Sequence, residues 1–149
     1  MGHNIKHLRP KKNSMFKQGY INRDMCKKLF ESTRTEPIIF RSSWEKKFIE
    51  WCESSALVLR WGSECCPIPY VIGKETHTYY PDFILTTTTG ETWMVEIKPY
   101  NETQRPKQPN SYAWNVYCKN MCKWRAAIAF CQARGWKFKV FTEKTINKL

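Results

Sequence analysis

The chain has 149 residues with 25 Lys+Arg against 13 Asp+Glu, a formal charge of +12 that points to a polyanionic partner, nucleic acid first. That length suits one domain built on one core. No apolar run approaches the length of a membrane span and no secretory leader is evident, so neither membrane insertion nor secretion is expected.

The charge is uneven: residues 1–41 carry a net +7 and residues 42–149 a net +5. Residues 1–36 read as an irregular basic arm, with K-H-L-R-P-K-K-N and then F-K-Q-G-Y-I-N and little periodicity. Order is expected there only where Phe16, Tyr20, Ile21, Leu29 and Phe30 lie on the main body or on a partner. Residues 37–149 form the domain proper. Ser42 followed three residues later by Glu45 is a capping box, and Trp44, Phe48, Trp51 and Cys52 recur at helical spacing behind it. A carboxylate at the third helical position has a local role, satisfying backbone donors at the helix start.

Residues 57–62 and 66–72 are short apolar runs, the second restricted to an edge strand or extended loop by Pro67 and Pro69. From His77 to Pro99 the sequence predicts a β-hairpin: H-T-Y-Y-P-D-F-I-L, a turn of four threonines and Gly90, then E-T-W-M-V-E-I-K-P. Strand alternation sets Trp93, Val95 and Ile97 on one face and Met94, Glu96 and Lys98 on the other, with Asp82 on the paired strand able to face them. Two carboxylates and an ammonium on one face of a packed sheet is a costly arrangement unless the charges are paired or bind a metal.

After Pro99 comes a polar loop with Gln104, Arg105 and Lys107, placed to hold nucleic acid. A core helix is predicted from about Ser111 to Arg134, with Trp114, Tyr117, Met121, Trp124, Ile128 and Cys131 as its buried stripe. Gly135 stops it, W-K-F-K-V-F predicts a further strand, and Thr142-Glu143 opens a short terminal helix. The seven cysteines are odd in number, include an adjacent pair (Cys65, Cys66) and lack C-x₂-C spacing. They read as reduced thiols; Cys118 and Cys122, one helical turn apart, are more readily small buried hydrophobes than metal ligands.

Carboxylates that hold a hard cation through oxygen, with a lysine beside them, suit phosphodiester cleavage, and Asp82, Glu96 and Lys98 have those chemical types. Neither a lone E-x-K nor a lone P-D is specific; their joint order behind a helix bearing Glu45 is more so. The set Glu45, Pro81-Asp82 and Glu96-Ile97-Lys98 resembles the PD-(D/E)xK nuclease superfamily. Within it, I-P-Y-V-I with H-T-Y-Y-P-D-F-I-L is similar to the junction-resolving endonucleases of small podophages. The wider run of Q-G-Y, F-R-S-S-W-E, W-G-S-E, I-P-Y, H-x-Y-Y-P-D-F and V-E-I-K-P resembles more closely the head-completion nucleases of T-even-type tailed phages, over about residues 18 to 105.

The resemblance implies an α/β fold, a mixed central β-sheet flanked by helices with a restriction-endonuclease-like core. It implies Asp82 and Glu96 as metal ligands, Glu45 as the upstream acidic residue and further ligand, Lys98 as the catalytic lysine, and Mg²⁺ as cofactor with Mn²⁺ able to substitute. Arg41 and His77 lie in matched segments where phosphate contacts are implied, and Gln104 follows the E-I-K strand, in a Pro-containing loop, where some members of the superfamily keep a glutamine. The implied activity is cleavage of packaged double-stranded DNA so that heads join tails, in the host cytoplasm and in association with the virion, with portal or neck proteins met through the arm. The rival expectations are a junction resolvase, a non-catalytic DNA-binding head protein and a transposase-like end-cleaving subunit. The sequence carries no signature of oligomeric state.

Overall fold

A computed structural model describes residues 19–30 and 38–149. Its elements in chain order are β1 (Gly19–Ile21), β2 (Ile38–Phe40), α1 (Ser43–Ser54), β3 (Val58–Ser63), β4 (Ile68–Ile72), β5 (Glu75–Tyr79), β6 (Phe83–Thr87), β7 (Thr92–Ile97), α2 (Tyr112–Gln132), β8 (Lys137–Phe141) and α3 (Glu143–Ile146). Most of the expected arm, including Phe16, lies outside the described residues.

Four strands form the central sheet in the order β3-β6-β7-β8. The first three run antiparallel, and β8 returns parallel to β7 after the α2 crossover. The β6–β7 turn uses Gly90 at φ +89°, with Thr87 N–H donating to the Glu91 carbonyl at 2.8 Å and Glu91 N–H to Thr87 Oγ1 at 3.0 Å. The expected alternation along β7 holds. Val95 and Ile97 join Phe48, Ile49 and Cys52 of α1 in one core layer, while Met94 joins Trp124, Ala127 and Cys131 of α2 in the other. Both faces of the sheet are therefore covered, as expected of a mixed sheet flanked by helices.

Three expectations are corrected. The stretch from His77 to Leu85 is not one strand. Pro81 lacks a ladder donor and the chain changes partner around it, so Glu75–Tyr79 pairs with β4 in a separate two-stranded sheet before β6 begins at Phe83. His77 thus faces Tyr70 across β4–β5, not the Glu96 strand. The buried stripe of α2 is Asn120, Trp124, Ala127 and Cys131: it keeps Trp124 and Cys131 of the predicted one, adds Asn120 and Ala127, and leaves Ile128 45% exposed. Ala127 is fully buried against the β4–β5 hairpin side of the core, where a small side chain lets the helix come close. In α1, Ile49 takes a buried place beside Phe48 and Cys52, and Trp44 and Trp51 flank it half-buried.

A segment from the expected arm protects the sheet edge. Phe30 N–H donates to the Trp61 carbonyl at 2.8 Å and Trp61 N–H to that of Lys28 at 3.0 Å, with Leu29 bridging Trp61 in parallel. Glu53 anchors this segment, accepting from Lys27 N–H (2.7 Å), Lys28 N–H (3.1 Å) and the buried Trp61 Nε1–H (2.7 Å). None of the seven cysteines is in a disulfide, in keeping with reduced thiols. Among the described residues no helix is long and apolar enough to cross a membrane.

Candidate active site

The site is assembled where β6 starts and β7 ends. Phe83 pairs with Val95, so the residue before it, Asp82, comes opposite Glu96. Asp82 sits in the bend ahead of β6, not within a strand, and its Oδ2 accepts the N–H of Ile97 at 2.8 Å. That bond ties the carboxylate to the Glu96 strand. Lys98 lies one residue beyond β7 and is held by its own N–H, which donates to the Phe141 carbonyl at 2.9 Å. The parallel β8 strand is thus what fixes the exit of the lysine.

Glu96 is 5% exposed and carries two donors on one oxygen: the Tyr79 hydroxyl and, at 3.2 Å, Trp124 Nε1–H, both on Oε2. Glu45 occupies the predicted capping box. Its N–H donates to Ser42 Oγ at 3.1 Å, and its Oε2 takes the Arg41 N–H at 3.2 Å and lies 3.3 Å from the Ser42 hydroxyl. Capping and site membership are compatible, because the cap contacts use one oxygen of two.

The electrostatics bind these groups into one cluster. Burial pushes the Asp82 carboxyl well above the usual carboxylate range, and the nearby charges of Glu96 and Glu45 push it further, against the Ile97 N–H. Burial also raises Glu45, opposed by the Arg41 charge and reinforced by that of Glu64. Burial outweighs the counter-charge that Arg41 offers Glu45, and a bound cation would add to it. Two carboxylates are the oxygen donors that a hard divalent cation takes, alongside water. Among the described residues no three Asp, Glu, His or Cys side chains close into a cage, so Glu45 acts on Asp82 through its charge without forming a three-ligand pocket.

The other expected contacts are dispersed. Arg41 Nη1 donates to Glu64 Oε1 at 2.9 Å beside Glu45. His77 is on the separate hairpin, stacked on Tyr70 at 5.5 Å with its Nε2 3.1 Å from Glu75. Gln104, Arg105 and Lys107 follow a 3₁₀ turn (Tyr100–Thr103) just past Lys98 and are exposed, with Arg105 over the Trp114 ring at 4.9 Å and Gln104 bonded to Thr103. Four residues at the site were not assigned to it from the sequence. Tyr79 and Trp124 grip Glu96, and Glu64 faces Arg41. The fourth, Lys123, lies 5.6 Å from the Tyr79 ring with its charge disfavoured by burial, Lys119 and Lys98 and favoured by Glu96 and Asp82. Only the adjacency of Lys123 to Trp124 on a core helix hinted at this, since its partners are distant in sequence.

A helix, three antiparallel strands, a crossover helix and a parallel fourth strand, with paired acids and a lysine at the ends of the central strands, define a nuclease core of restriction-endonuclease type. The family model described as "TnsA-like endonuclease N terminal" matches residues 55–143, and the chain belongs to this family of endonucleases. It is also 35% identical over 127 residues to the head completion nuclease of Enterobacteria phage T4, an alignment covering 75% of this chain and 83% of that protein.

Proposed function

We propose that this protein is a divalent-metal-dependent deoxyribonuclease of phage head completion, with Asp82 and Glu96 holding Mg²⁺, Mn²⁺ able to replace it, and Glu45 as the third acidic participant. The observation that carries the reading is the apposition of Asp82, whose buried carboxyl resists losing its proton, to Glu96 at the strand ends, with Lys98 two residues further along the chain. Likeness to a phage protein named for head completion supports the biological setting.

Bound there, the ion would supply Lewis acidity as the phosphodiester is hydrolysed. Asp82 is kept in place by the Ile97 N–H, and Glu96 by Tyr79 and Trp124. In this reading Lys98 orients the attacking water and offsets negative charge on the phosphoryl oxygens. Water forms a bond from its oxygen to phosphorus and releases a proton to solvent, the P–O bond to the leaving sugar breaks, and the leaving oxygen takes a proton from solvent. Arg105, Lys107 and Gln104 line the approach after Lys98 and contact the DNA backbone, with Arg41 and His77 as outlying contacts. The basic residues 1–36 dock on portal or neck proteins, and the enzyme acts on packaged double-stranded DNA in the host cytoplasm and at the virion.

Cleavage of linear duplex, supercoiled plasmid and a four-way junction with Mg²⁺, Mn²⁺ or chelator tests this. Metal-dependent cutting of ordinary duplex is expected, reduced ~10²–10⁴-fold by Lys98→Ala with duplex binding retained. Cutting confined to the junction would make the protein a resolvase. Tight, salt-sensitive binding with no cutting under any metal would leave a structural DNA-binding protein.

A further inference from the structure

The two donors on Glu96 come from parts of the fold that share no local sequence with it. Tyr79 closes β5 in the separate β4–β5 hairpin, Trp124 lies in the middle of α2, and Glu96 is on the central strand β7. All three side chains are buried, Tyr79 at 4% and Trp124 at 7% exposure. Their hydrogen atoms converge on Oε2 and neither touches Oε1. A carboxylate with one bond could swing about its last torsion and keep that bond; with two donors from opposite elements on one oxygen, rotation breaks at least one of them.

We propose that Tyr79 and Trp124 are positioning residues for the metal centre: together they lock the Glu96 carboxylate, opposite Asp82, in one orientation before any cation arrives. The inference rests on the metal-dependent reading above. It also gives the β4–β5 hairpin a purpose. That hairpin contributes no strand to the central sheet, yet it packs on α2 through Ile68, Tyr70 and Tyr79 and so delivers the hydroxyl to Glu96. The physical reason is preorganisation. A ligand already held in its binding orientation need not be ordered by the ion, and outer hydrogen-bond partners of metal ligands commonly contribute 10–100-fold in affinity.

The test is direct Mn²⁺ binding, read as the fall in the free-ion electron paramagnetic resonance signal, for wild type, Asp82→Ala, Tyr79→Phe and Trp124→Phe. Circular dichroism melts in chelator establish the folded fraction, and cleavage is titrated with Mg²⁺ in parallel. Expected is a rise of ~10–100-fold in the Mn²⁺ dissociation constant of each aromatic variant. The Mg²⁺ concentration for half-maximal cleavage should move with it, while the rate at saturating metal stays within a few-fold of wild type. A merely structural role would lower the folded fraction without moving the dissociation constant of the folded protein. Wild type that binds and cuts, with either folded aromatic variant binding Mn²⁺ as tightly, would overturn the positioning role alone. Wild type that binds no Mn²⁺ and cuts nothing would overturn the metal-dependent reading and this inference together.

Discussion

The acid pair should make the protein less stable than it need be. Replacing Asp82 by Asn keeps an oxygen to accept the Ile97 N–H and removes one charge from the Glu96 and Glu45 neighbourhood. Two unit charges ~4 Å apart repel by roughly 4 kcal/mol at an effective dielectric of 20, which is a ceiling because its raised pKa lets Asp82 keep a proton. The expected net gain for Asp82→Asn in chelator at pH 8 is about 1–2 kcal/mol, or roughly 3–6 °C in melting temperature for a chain of this size. The sign with pH follows from the direction of the shift. Asp82 binds its proton more tightly folded than unfolded, so wild-type stability from this group is greatest below the unfolded value of about 3.8 and is lost as pH rises through the folded value. The variant should lack that decline. Added Mg²⁺ should reverse the order, stabilising wild type by RT ln(1 + [L]/Kd) and leaving Asp82→Asn unmoved. Thermal melts at pH 5 and pH 8, with chelator and with Mg²⁺, check this. An Asp82→Asn protein less stable than wild type by more than about 1 kcal/mol at pH 8 in chelator would refute the account of an uncompensated acid pair.

Glu45→Gln retains an acceptor for the Arg41 N–H and Ser42, so its melting temperature should stay near wild type while cleavage falls. Ser42→Ala should do the converse, costing about 1 kcal/mol with cleavage retained; equal loss of activity in both would reduce Glu45 to a cap. Glu53→Ala strands the buried Trp61 Nε1–H and releases two backbone donors, so urea unfolding should show a loss of about 2–4 kcal/mol, with Glu53→Gln intermediate. Arg105→Ala and Lys107→Ala should each lower the slope of log affinity against log salt for duplex DNA by about 1, and an unchanged slope would remove that residue from the DNA contacts.

Local periodicity made much of the fold legible. The Ser42–Glu45 box and the apolar stripe behind it specify α1 within one stretch of chain; the Ser42 half of the box is at the atoms expected, while the Glu45 carboxylate takes the N–H of Arg41 and not that of Ser42. The alternation from Trp93 to Ile97 specifies both a strand and which side chains share a face, which is why Glu96 could be placed with Met94 and away from Val95. Gly90 and the threonines specify the turn, and the turn sets Asp82 against Glu96.

The partners of those residues could not be read the same way. Pro81 signals an interruption, but nothing local says that the chain leaves one sheet for another there, since strand pairing is chosen by the surfaces left over once the core has packed. Large apolar residues at heptad-like spacing gave Trp124 and Cys131 of the α2 stripe correctly but missed Asn120 and Ala127 and included Ile128, because small and polar side chains carry no apolar signal of burial. Tyr79, Glu96 and Trp124 lie 17 and 28 residues apart along the chain and act on one oxygen. Residue type and spacing therefore determined that this protein has acids and a lysine at the ends of a hairpin. Only the tertiary structure decided which neighbours hold them, because burial and hydrogen bonding between distant segments are properties of the packed core and leave no periodic trace in the sequence.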